Sequence, residues 1–326
     1  MLILAVDDDP IILELLQHYV DSLAGHELVT AESVADALEI FKHEKRRFDC
    51  FLVDIQMPDI DGIEFCRALR ETNVYQRTPI LMLTAMSEKS YIDGAFSAGA
   101  TDYITKPFEI NSLKGRLSLV EQISADAQTK TVDRPTAGTT GNSTRQDEQN
   151  IELHQPLPIY DVDGVIENHA MENYVTQLSR KSLCGSVVLG FTVRHATDLF
   201  FNLSSYDFSC VITDVAEAIA DCLLPTQRLV SYAGNGTFVC VVEGATTIDV
   251  DRLVDQMNIY IRTMELSTSD GAALEVRICA GQPNRLVWRK GGAAVEALRE
   301  AHISAEQAAN QRDKDMNRFW LNEQLV

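Results

Sequence analysis

The sequence predicts an α/β domain followed by an α+β domain: a doubly wound parallel sheet of five strands over residues 1–123, a linker over 124–156, and a second domain over 157–326. Three observations carry this division. Short apolar runs alternate with one-faced helical patterns through the first part, the pattern of a parallel sheet covered by helices on both sides. Residues 124–156 are rich in Thr, Ser, Gln, Gly and Asp and poor in apolar residues, so they cannot bury a core and read as a linker. Beyond them a leading helix is followed by the order β-α-β-β-α-β.

In the first domain, strands fall at 2–6, 29–31, 50–53, 80–83 and 103–104. The first helix starts at Asp9-Pro10, an acidic cap ahead of proline at the first helical position. It carries the stripe Ile12, Leu15, Leu16, Tyr19, Val20 and Leu23. In the second domain the spacing predicts a helix over 169–181, a strand over 186–193, a helix over 206–223 and strands over 228–233 and 237–242. A helix over 249–264, a strand over 274–281 and a last helix over 293–311 follow. Gly234-Asn235-Gly236 between the paired strands is a hairpin signal. This order is the split ferredoxin-like arrangement.

Composition narrows the function classes. A chain of 326 residues with 45% hydrophobic and 23% charged residues is globular and too long for one typical core. Its net charge of -20, from 48 acidic and 28 basic residues, repels phosphate backbones, and no basic recognition helix is visible; a nucleic-acid partner is not expected. The seven cysteines are scattered without a C-x-x-C pair and read as reduced thiols. The apolar start MLILAV runs straight into Asp7-Asp8-Asp9, with no basic flank, cleavage site or long apolar stretch. A soluble cytoplasmic protein with no membrane partner is expected. His169, His195 and His302 are too dispersed to suggest a metal site, and Trp288 and Trp320 too isolated for a stacking platform.

Loops at the carboxyl ends of the strands form the site of a doubly wound sheet, and there the carboxylates fall. Asp7 and Asp8 follow the first strand, Asp54 ends the third, Thr84 ends the fourth, and Lys106-Pro107 follows the fifth. Clustered carboxylates raise one another's pKa unless a cation compensates, and a hard divalent ion such as Mg²⁺ suits them. Singly, Asp7 and Asp9 would pass for helix caps and Lys106 for a surface charge; five elements on one rim argue for chemistry on a phosphoryl group. Met57-Pro58 and Asp61-Gly62 read as turn chemistry.

VDDDP, LVDIQMPDIDG, LTA and GATDYITKPF, in that order, resemble the receiver domains of bacterial two-component response regulators, across residues 1–123. The resemblance implies a flavodoxin-like fold with Asp54 as phosphoacceptor and a histidine kinase or phosphotransfer protein as partner. It implies Mg²⁺ held by Asp8, Asp54 and the main-chain carbonyl of Gln56, with Asp7 acting mostly through water. Thr84 and Tyr103 resemble the switch pair, whose hydroxyl moves toward the phosphoryl group while the ring turns inward. The Lys106–Pro107 bond is expected to be cis. Lys89, Asp102 and Arg116 lie on the face that many receivers use to dimerise on phosphorylation, the last two at positions that pair across the dimer.

The second domain, with its hairpin sequence LVSYAGNGTF, resembles a GGDEF (diguanylate cyclase-like) domain of nucleotidyl-cyclase-like fold, in degenerate form. Gly234 and Phe238 match the first and last signature letters; Asn235, Gly236 and Thr237 do not. Family members need carboxylates to hold metal ions. Gly190 stands where the first-strand carboxylate belongs and Gly236, with Thr237 beside it, where the signature carboxylate belongs. His195 replaces an expected lysine, Asp198 an asparagine, and Pro225-Thr226-Gln227-Arg228 an inhibitory R-x-x-D site. Asp207 stands at a guanine-contacting position, although a helix cap is the stronger reading. Cyclase activity is therefore not expected, and restoring it would need at least Gly190→Asp with Gly236→Asp. The output expected is interaction with a downstream protein; the alternatives are a GTP or cyclic di-GMP sensor and an active cyclase with an unusual site.

Overall fold

Five strands, β1 (Leu2–Val6), β2 (Glu27–Ala31), β3 (Cys50–Asp54), β4 (Ile80–Thr84) and β5 (Asp102–Thr105), pair in parallel in the order β2-β1-β3-β4-β5. This is the flavodoxin-like order the sequence predicts, and it puts the carboxyl ends of β1, β3, β4 and β5 on one rim. The computed structural model describes residues 1–85, 89–108, 110–111, 113–118, 120–121, 151–159, 162–178, 180–243, 248–287, 289 and 291–323, with side chains left out at 89, 180–181 and 315–323. Residues 124–150 of the expected linker therefore lie outside the described residues, as does Trp288. The chain divides into two units, Met1–Thr144 and Arg145–Val326.

Strand alternation fixes the layers of the first unit. Cys50 and Leu52 of β3 face α1 (Pro10–Asp21) and helical residues 113–118 in one core. Phe51 faces the other way, into an aromatic cluster of Phe41, Phe48 and Tyr75. α1 begins as expected: the Asp9 side chain accepts from the Ile11 N–H, and Pro10 occupies the first turn. The remaining named helices of this unit are α2 (Val34–His43), α3 (Gly62–Glu71) and α4 (Lys89–Ser97).

The second unit holds an antiparallel sheet. β6 (Ser186–Val193) is central, β8 (Thr237–Glu243) lies on one edge of it, and β7 (Arg228–Tyr232) lies beyond β8. On the other edge β9 (Ile278–Ala280) and β10 (Asn284–Arg285) follow one another. The helices are α5 (Asn168–Gln177), α6 (Arg180–Cys184), α7 (Ala196–Asn202), α8 (Ser205–Cys222), α9 (Val250–Thr263) and α10 (Gly292–Glu323). Leu189, Phe191 and Val193 of β6 share a core with Phe208, Val211 and Val215 of α8 and with Val254, Met257 and Ile261 of α9. α10 packs on the opposite face of β6, beside α5.

Several details differ from the sequence expectation. The strand over 274–281 narrows to Ile278–Ala280, because its partner β6 ends at Val193, opposite Ile278. The helix over 169–181 is interrupted at the extended Leu178. The last helix continues to Glu323, and α7 is an additional element. Finally, residues 151–157, expected largely as linker, send Ile151, Leu153 and Leu157 against the core of the second unit. Among the described residues no helix is long and apolar enough to cross a membrane.

Candidate functional site

The rim of the parallel sheet gathers the expected residues. Asp7, Asp8 and Asp54 each offer a carboxylate oxygen within 4.8 Å of the others. The Lys106 ammonium reaches Asp7 Oδ2 at 2.5 Å and Asp54 Oδ1 at 2.6 Å. Asp7 and Asp54 are buried and Asp8 is exposed, so the cluster opens to solvent on the Asp8 side. Each buried carboxylate also accepts from its own loop: Asp7 Oδ1 from the Asp9 N–H at 3.1 Å, Asp54 Oδ2 from the Gln56 N–H at 2.9 Å. The Lys106–Pro107 bond is cis.

One ammonium facing two buried carboxylates leaves a net negative charge in a poorly hydrated place. Burial pushes the carboxyls of Asp7 and Asp54 above the ordinary range, although Lys106 pulls both down. Burial alone would lower the Lys106 ammonium, but hydrogen bonds and attraction from Asp54 and Asp7 outweigh it and hold the group charged. All-oxygen donors with excess negative charge fit a hard divalent cation.

Thr84 ends β4 on the same rim, buried. Tyr103, expected to turn inward only on switching, already stands inward, 5% exposed and edge-on to Phe96 with ring centroids 6.0 Å apart. Burial pushes its phenol up to about 12. The expected cross-dimer residues behave differently. Arg116 pairs with the buried Asp102 of its own chain, whose other oxygen accepts from the Tyr103 N–H at 2.8 Å. This pair ties helical residues 113–118 to β5. The Lys89 side chain lies outside the described residues.

Sequence reasoning treated Gly62 as turn chemistry only. A Cβ there would lie 1.9 Å from the Asp54 carbonyl oxygen, so only glycine lets the loop after β3 fold back and bond Gly62 N–H to Ile55 O at 2.9 Å. The signal available was its place just after the Asp61 cap that opens α3.

The hairpin of the second unit is filled rather than open. A Cβ at Gly190 would lie 2.2 Å from the Ala301 carbonyl oxygen, on the backbone of α10. The expectation that Gly190→Asp would help rebuild a metal site is overturned by this: helix backbone occupies the space the carboxylate needs. At Gly236, φ is +73° and a Cβ would lie 2.3 Å from the Ala196 Cβ. Thr237 is buried opposite Thr192, their hydroxyls 2.8 Å apart. Phe238 is fully buried against Tyr232. Gly234 and Asn235 also have positive φ; the Asn235 N–H donates to Leu153 O at 2.6 Å and its side-chain amide to Glu306 at 3.1 Å.

Asp207 lies in the first turn of α8, whose N-cap is Ser204. Its N–H donates to Ser204 Oγ at 3.0 Å, while its carboxylate accepts from Ser204 Oγ at 2.7 Å and the Ser269 N–H at 2.8 Å. His195, with φ +54°, lies 3.6 Å from Asp313, which also receives a two-pronged contact from Arg194 at 3.1 and 2.5 Å. Glu306 and Asp313, both on α10, were not singled out from the sequence. Their signal, carboxylates seven apart on one helix face, is too common to have been read.

Residues 3–118 match the family described as response regulator receiver domain. The transcriptional regulatory protein PhoP for alkaline phosphatase synthesis from Bacillus subtilis is 36% identical over 118 residues, which cover 36% of this chain and 47% of that protein. Response regulator MprA from Mycobacterium leprae is 39% identical over 117 residues, covering 36% of this chain and 49% of its own. The chain spans about half the length of these curated relatives. The solved chemotaxis protein CheY4 of Vibrio cholerae is 37% identical, covering 36% of this chain and 97% of that one, with a TM-score of 0.34. With the acidic cluster, Lys106 and Thr84 on one rim of a five-stranded parallel sheet, residues 3–118 are a response regulator receiver domain.

Proposed function

We propose that the chain is a response regulator of a two-component phosphorelay. Asp54 takes a phosphoryl group from a histidine kinase or phosphotransfer protein, and output runs through protein–protein interaction of a degenerate GGDEF-like domain. The observation that carries the receiver half is Asp54 at the end of β3, 2.6 Å from Lys106 and clustered with Asp7 and Asp8. An Asp54 oxygen attacks the phosphorus of a phosphohistidine; the new P–O bond forms as the P–N bond breaks and the imidazole leaves. Lys106 is placed to pair with a phosphoryl oxygen and Thr84 to donate to another. Mg²⁺ bound by Asp7, Asp8, Asp54 and the Gln56 carbonyl would supply the remaining charge neutralisation. Incubation with acetyl phosphate and Mg²⁺ should label the wild-type chain, and Asp54→Asn should abolish the label; persistent labelling of that variant refutes the assignment.

The strand order β10-β6-β8-β7, with the hairpin strand β8 between β6 and β7, supports the ferredoxin-like, cyclase-like reading of the second unit. Glycine at 190 and 236 and threonine at 237 offer no adequate ligand for a hard dication, which supports the absence of cyclase chemistry. Residues 153–155 and Glu306 cover the turn, which favours an interaction module over a GTP or cyclic di-GMP sensor. Purified chain with GTP and Mg²⁺ should form no cyclic di-GMP, and calorimetry with either nucleotide should show no binding heat. Synthesis would restore the enzyme reading, and heat the sensor reading.

A further inference from the structure

Three consecutive residues of the second unit's hairpin, Gly234, Asn235 and Gly236, have φ of +92°, +53° and +73°. Two amides of this turn are held. The Gly236 N–H donates inward to the Tyr232 hydroxyl at 3.0 Å. The Asn235 N–H donates outward to Leu153 O at 2.6 Å. The next residue of that outer segment comes closer still: a Cβ at Gly234 would lie 2.4 Å from His154 O. Residues 151–157 thus run over the turn at backbone contact distance.

Their hold on it is light. Exposure alternates along the segment: Ile151, Leu153 and Leu157 are half-buried against the core, while Glu152, His154 and Pro156 face solvent. None of the seven residues is fully buried, and none belongs to a strand. Among the described contacts, one backbone hydrogen bond to the turn, the half-buried Gln155 and three half-buried apolar side chains place the segment at the low-stability end of the fold. In the chain it is also the part of the second unit that comes directly after the residues leading from the receiver.

The geometry points to residues 151–157 as a latch over the 234–236 turn, opened when the receiver is phosphorylated; this rests on the phosphoacceptor reading of Asp54. Opening uncovers the Asn235 N–H and the apolar seats of Ile151, Leu153 and Leu157. Together these fit an extended segment of a downstream protein that offers a backbone carbonyl and alternating apolar residues.

Hydrogen exchange on the full chain, with and without beryllofluoride and Mg²⁺, tests it. Amides of 151–155 and of Asn235 should exchange about tenfold faster with beryllofluoride, the response to weakening the latch by about 1.4 kcal/mol. Asp54→Asn should remove the response. Ile151→Ser with Leu153→Ser should exchange fast in this segment under both conditions, while the buried amides of β6 and β8 stay slow. If amides at 54–57 slow with beryllofluoride while 151–155 and 235 do not change, the latch is refuted and the phosphoacceptor reading stands. If neither region responds, both fall.

Discussion

The receiver rim and the hairpin of the second unit are both built where strands end, yet they solve opposite problems. At the rim two buried carboxylates share one ammonium, and a third stands exposed beside them. The fold holds this unbalanced charge in place. At the hairpin every polar atom described above finds a partner inside the unit: hydroxyl to hydroxyl at Thr192 and Thr237, amide to carbonyl at Asn235, carboxylate to guanidinium at Asp313. The rim keeps charge unbalanced at a cost to stability, whereas at the hairpin these described polar atoms are all paired.

The largest effect expected from this contrast comes from forcing charge into the closed region. Gly190→Asp should destabilise the second unit by about 4 kcal/mol or more, combining overpacking against α10 with an unpaired buried carboxylate. Urea unfolding of the full chain should show it, and a loss under 1 kcal/mol would mean that α10 moves aside easily. At the rim, Lys106→Ala should cost about 3 kcal/mol without divalent cations, because Asp7 and Asp54 lose their shared partner. Added Mg²⁺ should recover much of that, and an equal loss with and without Mg²⁺ would break the comparison.

Asp7→Asn should act in the opposite direction. The folded-state pKa of Asp7 is raised by burial, so its ionisation works against folding at neutral pH. Without divalent cations the variant should melt higher than wild type at pH 7. The gain should shrink as pH falls through the raised folded value, where the wild-type carboxyl takes up its proton. A variant less stable than wild type at pH 7 would show that pairing with Lys106 outweighs burial.

The smallest effect belongs to the cross-strand threonines. Thr237→Val alone should cost about 1–3 kcal/mol by orphaning the Thr192 hydroxyl, and Thr192→Val with Thr237→Val should recover most of it. Additive losses in this cycle would mean that the two hydroxyls do not depend on each other.

What the sequence showed, and what it hid, follows the same division. Asp7, Asp54 and Thr84 each sit directly after an apolar run and Lys106 directly after β5, so strand positions alone bring them to one rim. The cap at Asp9-Pro10 and the hairpin at Gly234-Asn235-Gly236 were legible because local backbone chemistry decides them. The Arg116–Asp102 pair was not, since a surface arginine gives no sign of which carboxylate it will meet. Nor was the closeness of α10 to Gly190: a glycine in a strand announces that something approaches, but not what. The half-buried stretch 151–157 read as linker because three apolar residues in seven carry no clear period against a polar background.

The seam where β6 and the end of β9 meet α10 has an evolutionary consequence. At Gly190 and Gly281 the approach is backbone to backbone, with 2.2 and 2.6 Å from each would-be Cβ to Ala301 O and Ala305 N. A side chain of any kind at either position must wait for a compensating shift of the helix, and the helix has no reason to shift until the side chain arrives. Neither step is neutral by itself. Such coupled changes work as a ratchet: lineages can drift into this packing one substitution at a time, but leave it only by two at once.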